Sequence, residues 1–379
     1  MSSTARWVAG FRSAVIDPHE QIKLTEPRAF DDETVRQVLR LNGGGAQLRV
    51  RLTNRYGRAP LEIGSARVAS RKAADAIVTE TERALRFRGA ERFSIPAGAE
   101  LLSDPVDLPV TAGEDLILSL YLPGPTGLAT FSHMPREITY VTQGNAATAS
   151  ALPEAIEIEQ RYFVTGVDVL APSDTTIGVA FGDSWFEGVG TTVGANRRSV
   201  DALNSRLTGG WVVNQGISGN RLLTDEIGEH ALARFDRDVL EVPGVSRVLL
   251  NFGINDLILG AMGGQPPATA DELIAGFTEL ARRARANGLI VHAATVGPYA
   301  GCVFPNLPIE QTQSTRTAVN EWLRGTDVFD AVFDVDRAVA DPDRPTFIHP
   351  EFDSGDGMHL NDAGALAMAM AVDVEAFSG

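Results

Sequence analysis

The sequence predicts two domains of different fold class: an antiparallel β-sandwich, jelly-roll-like domain over residues 1–171 and an α/β domain with a parallel sheet over residues 172–379. Two patterns predict this division. Before about residue 170, short segments alternate apolar with polar residues, and glycine- or proline-containing turns separate them. After it, short apolar segments alternate with segments of helical period, which is typical of a parallel sheet covered on both faces. A length of 379 residues also fits two domains.

The first half contains clear examples of half-buried strands. Leu48, Val50 and Leu52 alternate with arginines, and leucines occupy every second position from 116 to 122. This period of two is that of a strand with one face in the core. No long helical pattern occurs in this half, so we expect many short strands joined by turns.

The second half predicts strands and helices in alternation. Five apolar segments are expected to be strands: 176–181, 211–213, 247–250, 289–293 and 331–335. The clearest helix carries apolar residues from Leu273 to Ala284, and Thr269 with Glu272 three residues later forms a capping box at its start. A second helix is expected to end at Gly325, and a third to run from about residue 362 to 374.

Composition excludes several classes of function. With 33 basic and 49 acidic residues, the net charge is −16, which repels nucleic acid and anionic lipid. Cys302 is the single cysteine, so neither an intrachain disulfide nor a cysteine-rich zinc site can form. No histidine pair has ligand spacing, and we expect no metal and no cofactor. The chain carries no signal-peptide pattern and no membrane-spanning apolar run, so we expect a cytoplasmic protein, or a secreted one if a leader has been removed.

Polar segments follow the predicted strands of the second half. Ligands of doubly wound folds bind outside the carboxyl ends of the strands, so these segments are candidates for chemistry. They are Gly182–Trp185, Asn214–Gly219, Gly253–Asp256 and Asp356–His359.

Each segment alone has two interpretations. Ser184 lies on a strand-to-helix turn, where a serine is either an exposed nucleophile or part of a helix cap. Asn255 is either an oxyanion donor or a turn residue. Asp356 and His359 are three residues apart, so the carboxylate can accept from Nδ1–H and leave Nε2 as a base, although such pairs are often structural. Together the segments supply a nucleophile, a base, an orienting acid and oxyanion donors for acyl transfer.

This ordered set resembles the SGNH (GDSL-type) hydrolase family over about residues 176–379. The resemblance implies a three-layer α/β/α, flavodoxin-like domain and a serine esterase that works through an acyl-enzyme. The first half is similar to the β-sandwich that precedes some bacterial SGNH esterases, in segments Thr34–Arg40, Arg49–Gly57 and Ser132–Met134.

The resemblance also implies roles for individual residues. Ser184 would be the nucleophile and His359 the general base, with Asp356 holding the imidazole in the correct tautomer. The backbone N–H groups of Ser184 and Gly219 and the side-chain amide of Asn255 would form the oxyanion hole.

The substrate is less defined. Trp185 stands where the family's nickname has leucine, and its indole either narrows the acyl site and stacks on a sugar or aromatic alcohol or packs into the core. We expect a short acyl group, acetyl above all, on a carbohydrate, small alcohol or aryl group, because no lid or apolar channel is evident. The alternatives are a carbohydrate-binding protein with a vestigial esterase domain, and a lipase or phospholipase. The β domain either binds a glycan or acts as a scaffold that helps to assemble a homo-oligomer.

Overall fold

The computed structural model of the chain describes residues 4–378. Two compact units divide the chain. The first holds the residues up to Thr175 together with Val193–Asn196, and the second holds Thr176–Thr192 and the residues from Arg197 onward. The boundary expected from the sequence, at 171–172, falls on the last two residues of a strand that ends at Pro172.

The first unit is built from short strands, as its alternating pattern predicts. Within residues 4–175 these are β1 (Ala5–Arg12), β2 (Glu33–Arg40), β3 (Leu48–Thr53), β4 (Leu61–Ile63), β5 (Ser65–Ala73), β6 (Ala76–Ile77), β7 (Arg83–Ala84), β8 (Phe93–Ile95), β9 (Glu100–Leu102), β10 (Asp115–Leu122), β11 (Phe131–Ser132), β12 (Thr139–Gln143), β13 (Ile156–Ile158), β14 (Arg161–Tyr162) and β15 (Val164–Pro172). The helical structure described there is a single 3₁₀ turn at Thr79–Thr81.

These strands form antiparallel sheets. One has the order β1-β15-β3-β9, and a larger one has the order β13-β12-β2-β10-β5-β6, with β7 paired to β5. Leu48, Val50 and Leu52 are fully buried, whereas Arg49 and Arg51 between them are partly exposed. The prediction of an antiparallel, sheet-rich first half is confirmed, and the jelly-roll connectivity stays a prediction.

The second unit contains a five-stranded parallel sheet, which confirms the predicted fold class. Its strands are β16 (Thr176–Gly182), β17 (Gly210–Gly216), β18 (Val245–Asn251), β19 (Ile290–Ala294) and β20 (Ala331–Phe333). Their order is β17-β16-β18-β19-β20, so the direction of winding reverses at β16. In such a sheet the switch point, beyond the carboxyl ends of β16 and its neighbours, is where ligands bind.

Helices follow these strands. They are α1 (Ser184–Glu187), α2 (Ser199–Asn204), α3 (Ala231–Phe235), α4 (Ile254–Ile258), α5 (Ala270–Ala286), α6 (Gln313–Gly325), α7 (Val335–Val339), α8 (Asp362–Met370) and α9 (Val374–Ser378), with a π-helical turn at Asp236–Leu240 and a 3₁₀ turn at Leu259–Gly263. Across residues 4–378, no helix combines the length and the apolar character needed to cross a bilayer.

Two helix predictions have different outcomes. The capping box of α5 is confirmed, because the Glu272 carboxylate accepts from the Thr269 N–H at 2.8 Å and the Thr269 hydroxyl accepts from the Glu272 N–H. The single helix expected over 362–374 is wrong, since α8 ends at Met370 and α9 begins four residues later. The carboxylate of Asp373 accepts from two backbone N–H groups, at 2.9 and 3.3 Å, and so starts a new helix.

Candidate active site

A tight turn after β16 brings Ser184 to the start of a one-turn helix. At Gly182 an added Cβ would lie 2.6 Å from the Asn251 carbonyl oxygen, so this close approach requires glycine. Asp183 then caps α1, its carboxylate accepting from the Trp185 N–H at 3.1 Å. Gly188 ends the helix in the left-handed region, with φ of 102°. The turn therefore holds Ser184 at a helix N-terminus just past the strand.

Ser184 is hydrogen-bonded to a histidine that is distant in sequence. The distance from Ser184 Oγ to His359 Nε2 is 3.1 Å, and that from His359 Nδ1 to Asp356 Oδ2 is 2.6 Å. The other Asp356 oxygen accepts from the backbone N–H groups of Met358 and His359, at 2.9 and 2.8 Å. The backbone of this loop therefore holds the Asp356 carboxylate in place, and the carboxylate in turn orients the imidazole that contacts Ser184.

The Asp356 carboxylate determines where the imidazole holds its proton. Burial would raise the pKa of Asp356, but the hydrogen bond and charge of His359, with the two backbone N–H donors, outweigh burial and hold this pKa well below its usual range. An ionised carboxylate can only accept, so the hydrogen-bond network assigns the proton to Nδ1. The Nε2 lone pair then faces the Ser184 hydroxyl.

The predicted oxyanion donors gather around the nucleophile. The Asn255 side-chain amide lies 3.2 Å from Asp183 Oδ2 and 2.9 Å from the Asn220 carbonyl oxygen, so it contacts the sequence neighbours of both Ser184 and Gly219. Within the described part of the chain, neither the Ser184 nor the Gly219 backbone N–H donates a hydrogen bond. Two of the three predicted donors are therefore open, and the third donates to Asn220 and Asp183.

The sequence did not predict the buried charges that surround these residues. Arg234, fully buried, donates to the Gly182 and Gln215 carbonyl oxygens at 3.0 and 2.9 Å and to the Asn220 side chain at 3.0 Å. It also stacks over the Phe181 ring, with 4.2 Å to the centroid. One guanidinium thus joins the carboxyl ends of β16 and β17 to the loop after β17.

Two buried carboxylates hold the same loop. Asp256 accepts from the backbone N–H groups of Leu222 and Leu223 at 2.9 to 3.0 Å, and burial raises its pKa to about 6. Glu187 accepts from the backbone N–H and the hydroxyl of Ser218. Asp256 belongs to a recognised motif segment, whereas Glu187 carries only the weak signal of lying one helical turn after Ser184.

Asp183 is a buried carboxyl next to the nucleophile. Burial raises its pKa to about 7, and the negative charge of Asp256 adds to the rise, while the hydrogen bond from the Trp185 N–H opposes it. Near neutral pH this carboxyl, beside the Asn255 amide, is therefore present in both its protonated and its ionised form.

Trp185 packs inside the protein, as one of the two interpretations expects. Only 4% of its surface is exposed, and its indole N–H donates to the Met358 carbonyl oxygen at 3.0 Å. At Gly297 an added Cβ would lie 2.0 Å from the ring. The structure therefore favours the packing interpretation, and the substrate-binding role of Trp185 stays a prediction.

Metal ligation has no support from side-chain clustering. Across residues 4–378, no group of three or more histidine, cysteine, aspartate or glutamate side chains is arranged so that it could hold a metal ion.

The model of the GDSL-like lipase/acylhydrolase family matches residues 180–367. A comparison with proteins of curated function found no match.

Solved structures with a similar fold include three esterases or lipases. A carbohydrate esterase family 2 enzyme with a carbohydrate-binding domain, from Corynascus thermopiles (Myceliophthora fergusii), is 12% identical, with 99% of this chain and 98% of that one covered and a TM-score of 0.41. A GDSL-like lipase from Bacteroides thetaiotaomicron is 18% identical over 54% of this chain and 89% of that one, with a TM-score of 0.40. The acetyl xylan esterase AlAXEase is 18% identical over 52% and 96%, with a TM-score of 0.39. Because these TM-scores are below 0.5, they do not define the reaction of this chain.

Proposed function

We propose that this chain, whose residues 180–367 belong to the GDSL-like lipase/acylhydrolase family, is a carboxylic ester hydrolase that uses Ser184 as its nucleophile and forms an acyl-enzyme. The observation that carries the proposal is the hydrogen-bonded line from Ser184 Oγ through His359 to the Asp356 carboxylate, with distances of 3.1 and 2.6 Å. Nucleophile, base and orienting acid are the parts that acyl transfer needs, in the order in which it needs them.

The reaction follows from the arrangement of these atoms. As Ser184 Oγ attacks the ester carbonyl carbon, His359 Nε2 takes the hydroxyl proton and the carbonyl oxygen becomes an oxyanion. His359 then gives that proton to the leaving alcohol as the bond from carbon to the alcohol oxygen breaks. A water molecule, deprotonated by the same nitrogen, then attacks the acyl carbon. The bond from that carbon to Ser184 Oγ breaks, His359 returns the proton to Ser184 Oγ, and the carboxylic acid leaves.

The oxyanion would be stabilised by three donors. They are the open N–H groups of Ser184 and Gly219 and the Asn255 amide, which would turn from Asp183 toward the oxyanion while keeping its bond to Asn220. Each donor of this kind is worth about 10²- to 10³-fold in kcat.

The substrate we propose is a short-chain ester, acetyl above all, of a carbohydrate or of a small or aryl alcohol. The space behind α1 is filled by the Trp185 indole, which leaves little volume there for a long acyl chain. An apolar alcohol is favoured by Val303 and Phe304, whose side chains are 66% and 46% exposed. These residues lie beside the loop of the orienting acid, because the Val303 N–H donates to the Asp356 carbonyl oxygen at 3.0 Å.

The first experiment is Ser184→Ala, assayed with nitrophenyl acetate. We expect kcat/KM to fall by about 10⁴-fold or more while the thermal unfolding midpoint is retained. Ser205→Ala, at an exposed serine of the same unit, is the matched control and should behave like the wild type. Wild-type activity in the Ser184 variant would refute the proposal.

An ester panel tests the substrate. Nitrophenyl esters from acetyl to octanoyl vary the acyl group, and acetylated sugars against aryl acetates vary the alcohol. We expect kcat/KM to be highest for acetyl and to fall as the chain lengthens. A steady rise with acyl length would overturn the short-chain assignment and favour a lipase.

A further inference from the structure

Gly219, whose N–H is a proposed oxyanion donor, is held between two anchored neighbours. On one side, the Asn220 amide donates to the Ile227 and Glu229 carbonyl oxygens at 2.9 and 3.0 Å and accepts from Arg234. On the other side, Ser218 is bound to a carboxylate. Gly219 itself has φ of 79°, a left-handed conformation that suits glycine, and its N–H is open.

The carboxylate that binds Ser218 is Glu187, from the helix that begins at Ser184. Its Oε2 accepts from the Ser218 backbone N–H at 2.6 Å and from the Ser218 hydroxyl at 2.5 Å. Glu187 is 5% exposed and Ser218 is 1% exposed, so both bonds are shielded from water. Hydrogen bonds to an ionised group are about twice as strong as neutral ones, and the low local dielectric strengthens them further.

The backbone of the same loop also lies against α1. At Gly216 an added Cβ would be 2.4 Å from the Glu187 backbone nitrogen and 2.8 Å from the Asp183 carbonyl oxygen. The start of the loop is therefore fixed by close backbone contact, and Ser218, two residues later, is fixed by the side chain of Glu187.

We propose that Glu187 is a positioning residue of the oxyanion hole: by binding Ser218 it fixes the Gly219 N–H relative to the helix that carries Ser184. This inference rests on the proposed ester hydrolysis. A donor stabilises an oxyanion only if it already points at the place where the charge develops, and one carboxylate joins the nucleophile's helix to the donor's loop.

The burial of this charge supports a role beyond folding. A buried carboxylate is costly unless its hydrogen bonds are satisfied, and a negative charge near the site opposes an oxyanion. Glu187 Oε2 accepts from both the backbone N–H and the hydroxyl of Ser218, so two donors of one residue satisfy this oxygen. The same contact made by a neutral group would hold the loop less firmly.

The test compares Glu187→Gln, Glu187→Ala and Ser218→Ala with the wild type. Asp225→Asn is the matched control, because its carboxylate is exposed at the far end of the same loop and binds His230. We measure kcat and KM for an oxoester and for the matching thionoester, whose sulfur is a weak hydrogen-bond acceptor. Unfolding midpoints are recorded for every variant.

We expect kcat for the oxoester to fall about tenfold in Glu187→Gln, a few-fold in Ser218→Ala and up to about 10²-fold in Glu187→Ala, with KM nearly unchanged. The thionoester should lose far less, so the ratio of oxoester to thionoester activity should fall with kcat. A purely structural role would lower both activities together and leave the ratio unchanged.

The outcomes separate this inference from the proposed function. If the wild type hydrolyses the oxoester and the Glu187 variants keep the wild-type ratio, the positioning role is wrong and the hydrolase proposal stands. If the wild type hydrolyses neither the oxoester nor any ester of the nitrophenyl and acetylated-sugar panel, the proposed function is wrong and the positioning role is wrong with it.

Discussion

Asp356→Asn would separate the orienting role of the carboxylate from its role in building the loop. The asparagine oxygen can still accept from the Met358 and His359 backbone N–H groups, as Asp356 Oδ1 does at 2.9 and 2.8 Å. The side-chain NH₂ then replaces Oδ2, which lies 2.6 Å from His359 Nδ1. Flipping the amide would point the NH₂ at two backbone donors, so this orientation is fixed.

The substitution would invert the tautomer of the imidazole. Facing a donor, His359 Nδ1 becomes an acceptor, so the proton moves to Nε2, which then cannot take the Ser184 proton. In serine hydrolases of another fold this change costs about 10⁴-fold in kcat, or about 5.5 kcal/mol at about 1.4 kcal/mol for each factor of ten. We expect a loss of that order, with KM for nitrophenyl acetate nearly unchanged. A loss smaller than about tenfold would refute the assignment of Asp356.

The same variant has a signature in stability. The pKa of Asp356 lies below its ordinary value in the folded protein, so its ionised form stabilises the fold above about pH 4, and this contribution is lost as the pH falls through the folded-state pKa. The stability gap between wild type and Asp356→Asn should therefore narrow as the pH falls below 4. Urea unfolding at several acidic pH values measures it, and a constant gap would contradict the lowered pKa.

Three further substitutions have distinct expected results. Asn255→Ala should lower kcat by about 10²- to 10³-fold at nearly constant KM in steady-state assays. A rise in KM with unchanged kcat would contradict the role of Asn255 as an oxyanion donor. Trp185→Phe should lower the free energy of unfolding by about 2 kcal/mol, because the buried Met358 carbonyl loses its donor, while KM for acetylated sugars stays unchanged. A large rise in KM with intact stability would instead support the stacking role. Asp183→Asn removes a carboxyl whose pKa is raised to about 7. The free energy of unfolding of the wild type should therefore fall relative to that of the variant as the pH rises from about 4 to 7, by up to about 4 kcal/mol. A difference in urea-unfolding free energy that stays constant over this pH range would contradict the raised pKa.

Much of the second unit could be predicted because its strands and caps have local signals. The five parallel strands begin within two residues of the predicted segments, since each is an apolar run bounded by turn residues. The capping box of α5 is written in Thr269 and Glu272 alone. The break between α8 and α9 was missed because an aspartate in mid-helix and an aspartate at a helix cap look alike until the chain is folded.

The long-range contacts of the site have no local signal in the sequence. His359 is 175 residues from Ser184, and the two were brought together by the expected meeting of the strand ends at one edge of the sheet and by the family resemblance. Arg234 lies in a short helix with no motif, and its contacts with Gly182 and Gln215 depend on how β16 and β17 end side by side. Trp185 left two interpretations open, because burial of an aromatic ring is decided by the elements that close around it.

The buried charges around the loop after β17 have a common physical reason. Four residues with ionisable side chains are nearly inaccessible to water there: Asp183, Glu187, Arg234 and Asp256. Replacing buried charges with apolar residues of similar volume is often neutral for stability or stabilising. Each charge binds backbone or side-chain groups of the nucleophile turn or of the loop that carries Gly219. Apolar side chains could fill the same space, but they could not hold N–H and carbonyl groups in fixed directions. An oxyanion hole depends on such fixed directions. The lower stability that buried charges bring is therefore expected of a site whose geometry is set before the substrate binds.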